Sequence, residues 1–143
     1  PAPRDDVDDL VDLVGRRLAL MPAVAVAKRA RGLPTEDATQ EARVLERIGQ
    51  AAPEAVPFFA TQIALAKRVQ DRAGDAATVL DLERDLRPAI ERLDRRILGA
   101  LDRVRGLPIG RERLAILEGI LTADEIEGLE RALRTRGGMR HDG

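Results

Sequence analysis

The chain has 143 residues, enough for one domain or for one domain with a helical extension. Hydrophobic residues make up 44% of it but aromatic residues only 1%, so the core has to consist of Ala, Leu, Ile and Val. Charged residues at 34% with a net charge of −1 indicate helices with polar outer faces, and the near-neutral balance argues against a nucleic-acid partner. With no cysteine and a single histidine, His141, a disulfide framework, a Cys- or His-based metal site and a histidine dyad are not expected.

The longest uncharged stretches, residues 18–27 and 55–66, are shorter than the roughly 20 apolar residues that span a membrane. We therefore expect no membrane helix. No signal peptide is visible, and the opening "PAPRDD" lacks a methionine, which predicts a trimmed or mature chain and leaves export open.

Helical periodicity predicts the first elements. The first helix is expected from about Asp5 to about Ala30, with a kink at Pro22 and a C-terminal glycine at Gly32. A second helix is expected through Ile48, with Thr35 as its cap. A third carries Phe58 and Phe59 and ends near "RAGD".

The C-terminal half is predicted to be helical as well. Residues 76–106 read as one helix or two short ones, the second starting near Pro88. A short helix is expected around 114–120, and Thr122 with Glu125 forms a capping-box pattern before an amphipathic helix. The tail "TRGGMRHDG" should fray. The prediction is an all-α bundle of four main helices and two shorter ones, with no alternating β pattern.

Two cations in the first helix are candidates for a site. Only Lys28 and Lys67 are lysines among the 24 basic residues, and Lys28 follows an apolar run. Arg17 lies eleven residues before Lys28, which is roughly three helical turns, so both side chains share one helix face. The pair is either a solvated end of an amphipathic helix or a pair directed into a helix-lined interior.

These residues belong to a longer pattern, "RRLALMPAVAVAKRARGLPTED", in which an arginine, a lysine eleven residues later, "LP" and "ED" follow in order. With "FFATQIALAKRVQ" and "LRPAIERLDRRIL", the chain resembles the all-helical, AroQ-type chorismate mutases, in particular their exported subclass. The resemblance covers most of residues 17–98, and the C-terminal third is similar only in being helical. It implies one helical domain over 1–143, in which 1–73 is the substrate-site half and 74–143 a half that contributes Arg87.

The resemblance implies an isomerase of aromatic amino-acid biosynthesis that rearranges chorismate to prephenate. The step is pericyclic and needs no nucleophile, metal or cofactor. The substrate carries two carboxylates, and negative charge grows on its ether oxygen as the C–O bond breaks, so the site needs cations and a donor to that oxygen. The implied partner is chorismate, with no nucleic acid and no membrane; a homodimer is compatible with the family, and the subclass implies a periplasmic or secreted protein.

The resemblance assigns roles by position. Arg17 matches the arginine that binds a substrate carboxylate, although Arg16 lies next to it. Lys28 matches the lysine that contacts the ether oxygen, a role in which a compact ammonium suits better than a forked guanidinium. Gln70 matches the second ether-oxygen donor, which makes Lys28 and Gln70 the catalytic pair. Arg87 matches an arginine that reaches the pocket from the C-terminal half.

The resemblance also implies substrate contacts from the loop and the second helix. Asp37 and Glu41 match acidic residues near the substrate hydroxyl. Gln40 lies where the family usually has an arginine, and losing such a contact to a carboxylate costs about 1.5–3 kcal/mol. Arg43 is a partial substitute in this interpretation. Ala66 replaces a small hydroxyl residue one turn before Gln70.

Alternatives to this interpretation stay open. The chain could act on a neighbouring substrate, as an isochorismate pyruvate lyase-like enzyme, or be a non-catalytic helical ligand-binding or interaction module. At single positions, Gln62 and Gln70 could be simple surface polarity, and Arg87 part of a charged helix surface.

Overall fold

The computed structural model describes residues 5–74 and 79–138, with side chains up to Arg134. Of the tail that was expected to fray, residues 135–138 continue the last helix, and residues 139–143, His141 among them, lie outside the described residues. Within the described ranges the chain forms helices and no strand, which confirms the all-α prediction. Short 3₁₀ segments lie at Pro53–Ala55 and Arg111–Gly119, and a π-helical turn at Leu82–Leu86. The six α-helices are α1 (Asp6–Ala19), α2 (Met21–Ala30), α3 (Ala38–Ala51), α4 (Val56–Arg72), α5 (Arg87–Arg103) and α6 (Ala123–Gly138).

The predicted first helix is divided into α1 and α2. The break lies at Leu20, two residues before the expected kink at Pro22, because a proline fits the first turn of a new helix and cannot donate to the preceding turn. Leu20 keeps right-handed helical dihedrals, with its N–H bonded to the Arg17 carbonyl at 3.2 Å. The near-continuous backbone therefore keeps Arg17 and Lys28 on one side of the bundle.

The turn after α2 confirms the predicted glycine. Gly32 has φ +69, and the Leu33 N–H reaches back to the Lys28 carbonyl at 2.8 Å, as in a Schellman C-terminus. The predicted cap of the next helix is wrong: Asp37, not Thr35, caps α3, and its Oδ1 accepts from the Gln40 N–H at 3.1 Å. A carboxylate is as good a cap as a hydroxyl, and the loop places it one residue before the helix.

The C-terminal half contains the elements that the sequence predicts, in altered form. Pro88 lies in the first turn of α5, directly after the π-helical turn. The expected helix near 114–120 is a 3₁₀ segment, whose three-residue period puts the buried Leu114 and Leu117 on one side. The capping box is confirmed, since Thr122 and Glu125 exchange backbone-to-side-chain bonds at 2.9 and 3.2 Å.

The core lies between the helices and is aliphatic, as the composition predicts. Helix α1 packs on α5, while α4 packs on α2, α3 and α6. Phe58 and Phe59 are fully buried in an edge-to-face pair with centroids 6.0 Å apart. In the part of the chain that the structure describes, none of the helices combines the length and the hydrophobicity of a membrane span.

Candidate active site

One pocket lies between α1, α2, α3, α4 and the start of α5. The pocket has a cavity volume of about 90 Å³. All seven residues that the sequence assigns to the site line this pocket: Arg17, Lys28, Asp37, Gln40, Glu41, Gln70 and Arg87. The structure therefore brings together, at one place, side chains from five helices and one loop.

Arg17 is a buried cation fixed by a buried acid. Its side chain is 5% exposed, and its Nε donates to Asp94 Oδ1 at 2.7 Å. A guanidinium carries five N–H donors and this bond uses one of them. Because Asp94 neutralises Arg17 from α5, the guanidinium can stay charged inside the bundle at the pocket wall.

Lys28 is half-buried under the loop that follows α2. Its Nζ donates to the Thr35 carbonyl at 2.8 Å, so the loop curls back over the lysine. Burial lowers the pKa of Lys28 below its usual value; Asp37 and Glu41 act against this shift, and Arg87 and Lys67 act with it. An ammonium has three N–H donors, and the bond to Thr35 uses one.

The acidic residues of the pocket are paired with cations. Arg87 lies between two carboxylates, with Nη1 on Glu83 and Nη2 3.5 Å from Asp37 Oδ2. Lys67 approaches Glu41 Oε1 at 3.3 Å. Asp37 both caps α3 and lines the pocket, so it has a structural function in addition to any contact with a ligand.

The two glutamines of α4 are buried rather than surface residues. Gln70 is 5% exposed; its Nε2 has only the soft sulfur of Met21 as a partner, at 3.6 Å, and its Oε1 is without a hydrogen bond among the described residues. Gln62 is 2% exposed, and neither amide atom has a partner within the same ranges. The surface interpretation is thus wrong for both. Gln70 and Ala66 line the pocket, whereas Gln62 does not.

The side of the pocket that α3 forms, called the α3 wall, differs from the expectation that Arg43 supplies its positive charge. Its residues are Gln40, Glu41, Val44 and Arg47. Gln40 faces the pocket, but the cation on the same wall is Arg47, whereas Arg43 lines a neighbouring outer cavity. Arg47 carries no signal of its own in the sequence, because "VLERI" reads as part of an ordinary amphipathic helix. Lys67 does carry one, since the scarcity of lysine applies to both lysines of the chain.

Comparisons with known proteins match this geometry. Residues 5–71 match the family model described as Chorismate mutase type II. The crystal structure of a chorismate mutase from Burkholderia thailandensis matches with a TM-score of 0.69 at 29% identity, covering 92% of this chain and 96% of that one. A second, from Burkholderia phymatum, has a TM-score of 0.71 at 22% identity with the same coverage, which shows the fold alone. Comparison with curated protein sequences gives no match.

The fold is therefore that of the AroQ-type chorismate mutases over nearly the whole chain. The two structures extend the likeness from the N-terminal half, where the family pattern lies, into the C-terminal half, which supplies Leu82, Arg87, Ile90 and Glu91 to the pocket. The predicted resemblance to chorismate mutases is confirmed at this level; the exported subclass and the roles of single residues stay predictions.

Proposed function

We propose that the protein is a chorismate mutase, an isomerase that rearranges chorismate to prephenate. The observation that carries the proposal is the convergence of five cationic side chains on the pocket described above. Three carboxylates, Asp37, Glu41 and Glu91, line the pocket with them, and Asp94 and Glu83 pair with Arg17 and Arg87 from outside the lining. The N–H donors that these cations keep beyond their ion pairs suit a small substrate with two carboxylates. The cations are Arg17, Lys28, Arg47, Lys67 and Arg87.

The catalytic part of the proposal rests on Lys28 and Gln70. Lys28 keeps two N–H donors beyond its bond to Thr35, and the Gln70 amide gives up only a weak sulfur contact when a better acceptor arrives. Both can donate to the ether oxygen as negative charge grows on it, which lowers the barrier without any proton transfer. Arg17, fixed by Asp94 before substrate arrives, orients a substrate carboxylate.

The experiment is turnover of purified chorismate by the purified protein, followed by the fall in chorismate absorbance and by prephenate formation. We expect catalysis that Lys28→Ala lowers at least a hundredfold. Isochorismate offered in parallel, with pyruvate as the readout, tests the lyase alternative. A protein that acts on neither would have the fold without this chemistry.

We also propose that the natural protein is exported, as the resembling subclass is. The support is the C-terminal half, which contributes Arg87 to the pocket in the way that the subclass resemblance implies. Fractionation of source cells with an antibody against this domain tests it, and recovery only with cytosolic marker enzymes would contradict it. Size-exclusion chromatography with light scattering tests whether the protein is a monomer or a homodimer.

A further inference from the structure

The α3 wall of the pocket has a neutral amide and a cation two turns apart. Gln40, Val44 and Arg47 follow one another at helical spacing and all line the pocket. Arg43 lies on the adjacent side of α3 and lines the outer cavity but not the pocket. The positive charge on this wall therefore comes from Arg47.

Arg47 forms loose ion pairs with two carboxylates, those of Glu91 and Asp94. Its Nη1 lies 3.8 Å from Glu91 Oε2 and its Nη2 lies 3.7 Å from Asp94 Oδ2. Both distances exceed a good charge-assisted hydrogen bond of about 2.7–2.9 Å. The side chain is 44% exposed and lines both the pocket and the outer cavity, so its guanidinium stands at the boundary between them.

The carboxylate of Asp94 lies between the guanidinium groups of Arg17 and Arg47. Its Oδ1 accepts from Arg17 at 2.7 Å, while its buried Oδ2 has no hydrogen bond among the described residues and has Arg47 Nη2 as a cation nearby. A buried carboxylate oxygen without a partner is costly, which favours movement of Arg47 towards it. Arg17 and Arg47, from α1 and α3, are thus drawn to the same side of the pocket by one acid of α5.

We propose that Arg47 binds one of the two carboxylates of the substrate, beside Arg17, and that Asp94 is the positioning residue that holds it there. The inference rests on the proposed function and adds Arg47, a residue to which the resemblance assigns no role. It explains how a pocket with Gln40 on its wall can still bind a dianion. The forked guanidinium of Arg47 can bond both oxygens of a carboxylate at once.

The test compares Arg47→Ala with Arg43→Ala, a matched loss of one arginine from the same helix. We expect Arg47→Ala to raise KM for chorismate at least tenfold with kcat changed less than threefold, and Arg43→Ala to change either constant less than twofold. Adding Gln40→Arg to Arg47→Ala should bring KM back to within threefold of the unaltered protein, since it returns a cation to the same wall.

Asp94→Asn tests the positioning. It should raise KM, and in its background Arg47→Ala should have less than a threefold further effect, because Arg47 is no longer held. Thermal unfolding identifies a variant that merely fails to fold. If Asp94→Asn fails to fold, the KM values of Arg47→Ala and of Arg47→Ala with Gln40→Arg still test the role of Arg47, because that side chain is largely exposed.

The outcomes separate this inference from the proposed function. If the unaltered protein turns over chorismate and Arg47→Ala behaves like Arg43→Ala, the role of Arg47 is refuted while the function stands. If the unaltered protein neither turns over nor binds chorismate by calorimetry, the function fails and this inference fails with it.

Discussion

Removing the ammonium of Lys28 is the most direct test of the proposed chemistry. Loss of one donor to a developing oxyanion costs about 2.7–4 kcal/mol of transition-state stabilisation, or 10²–10³ in rate. Lys28→Met keeps most of the stem but loses the charge and the 2.8 Å bond to the Thr35 carbonyl. That bond is to a charged donor and contributes about 1.5–3 kcal/mol to the free energy of unfolding. Relief from burying a charge offsets part of this loss, so we expect a net change of about 1 kcal/mol.

The assay is kcat/KM for chorismate beside the free energy of unfolding in urea. Arg29→Ala is the matched control, because Arg29 is the next residue of α2, is exposed and does not line the pocket. We expect kcat/KM to fall at least a hundredfold for Lys28→Met and less than twofold for the control. A Lys28→Met protein that loses stability yet keeps its activity within tenfold would refute the assignment.

We expect kcat/KM to be level between about pH 6 and 8, because the Gln70 amide does not titrate. At higher pH, kcat/KM should fall as Lys28 loses its proton, and because burial lowers the pKa of Lys28, the midpoint of this fall should lie below the usual value for lysine. Gln70→Glu should move the fall in the pH–rate profile to lower pH, since a carboxyl group can donate to the ether oxygen only while it is protonated. Gln40→Arg alone should lower KM for chorismate, and a rise in KM would indicate a pocket shaped for another ligand. Thr122→Ala, which removes the α6 cap, should lower the free energy of unfolding by about 1 kcal/mol in urea titration and leave kcat/KM within twofold; an unchanged unfolding midpoint would contradict the cap.

Local patterns predicted the helices well because their causes are local. Periodicity, the glycine at position 32 and the capping box each depend on neighbours within one or two turns, and the structure contains all three. The errors have local causes too. Leu20 is the break because Pro22 fits inside the new helix, and Asp37 caps α3 because two good caps, Thr35 and Asp37, lie two residues apart.

The candidate site was predictable only where a residue stands in a recognisable pattern. The resemblance placed seven residues, and all seven line one pocket. Asp94 and Arg47 carry no such pattern: each reads as one more charge on an amphipathic helix. Their importance comes from side-chain pairs such as Arg17–Asp94, which joins residues 77 positions apart and depends on how α1 packs on α5.

The pair of Arg17 and Asp94 also changes how the two halves of the chain are understood. The match to the family model ends at residue 71, yet the buried guanidinium of that half is neutralised by a carboxylate of the other half. Removing one partner of a buried ion pair costs about 3–5 kcal/mol, a large part of the stability of an ordinary domain. The N-terminal half therefore cannot keep Arg17 buried at the pocket wall by itself. Since Leu82, Arg87 and Ile90 close the same pocket, the C-terminal half completes both the charge balance and the shape of the site.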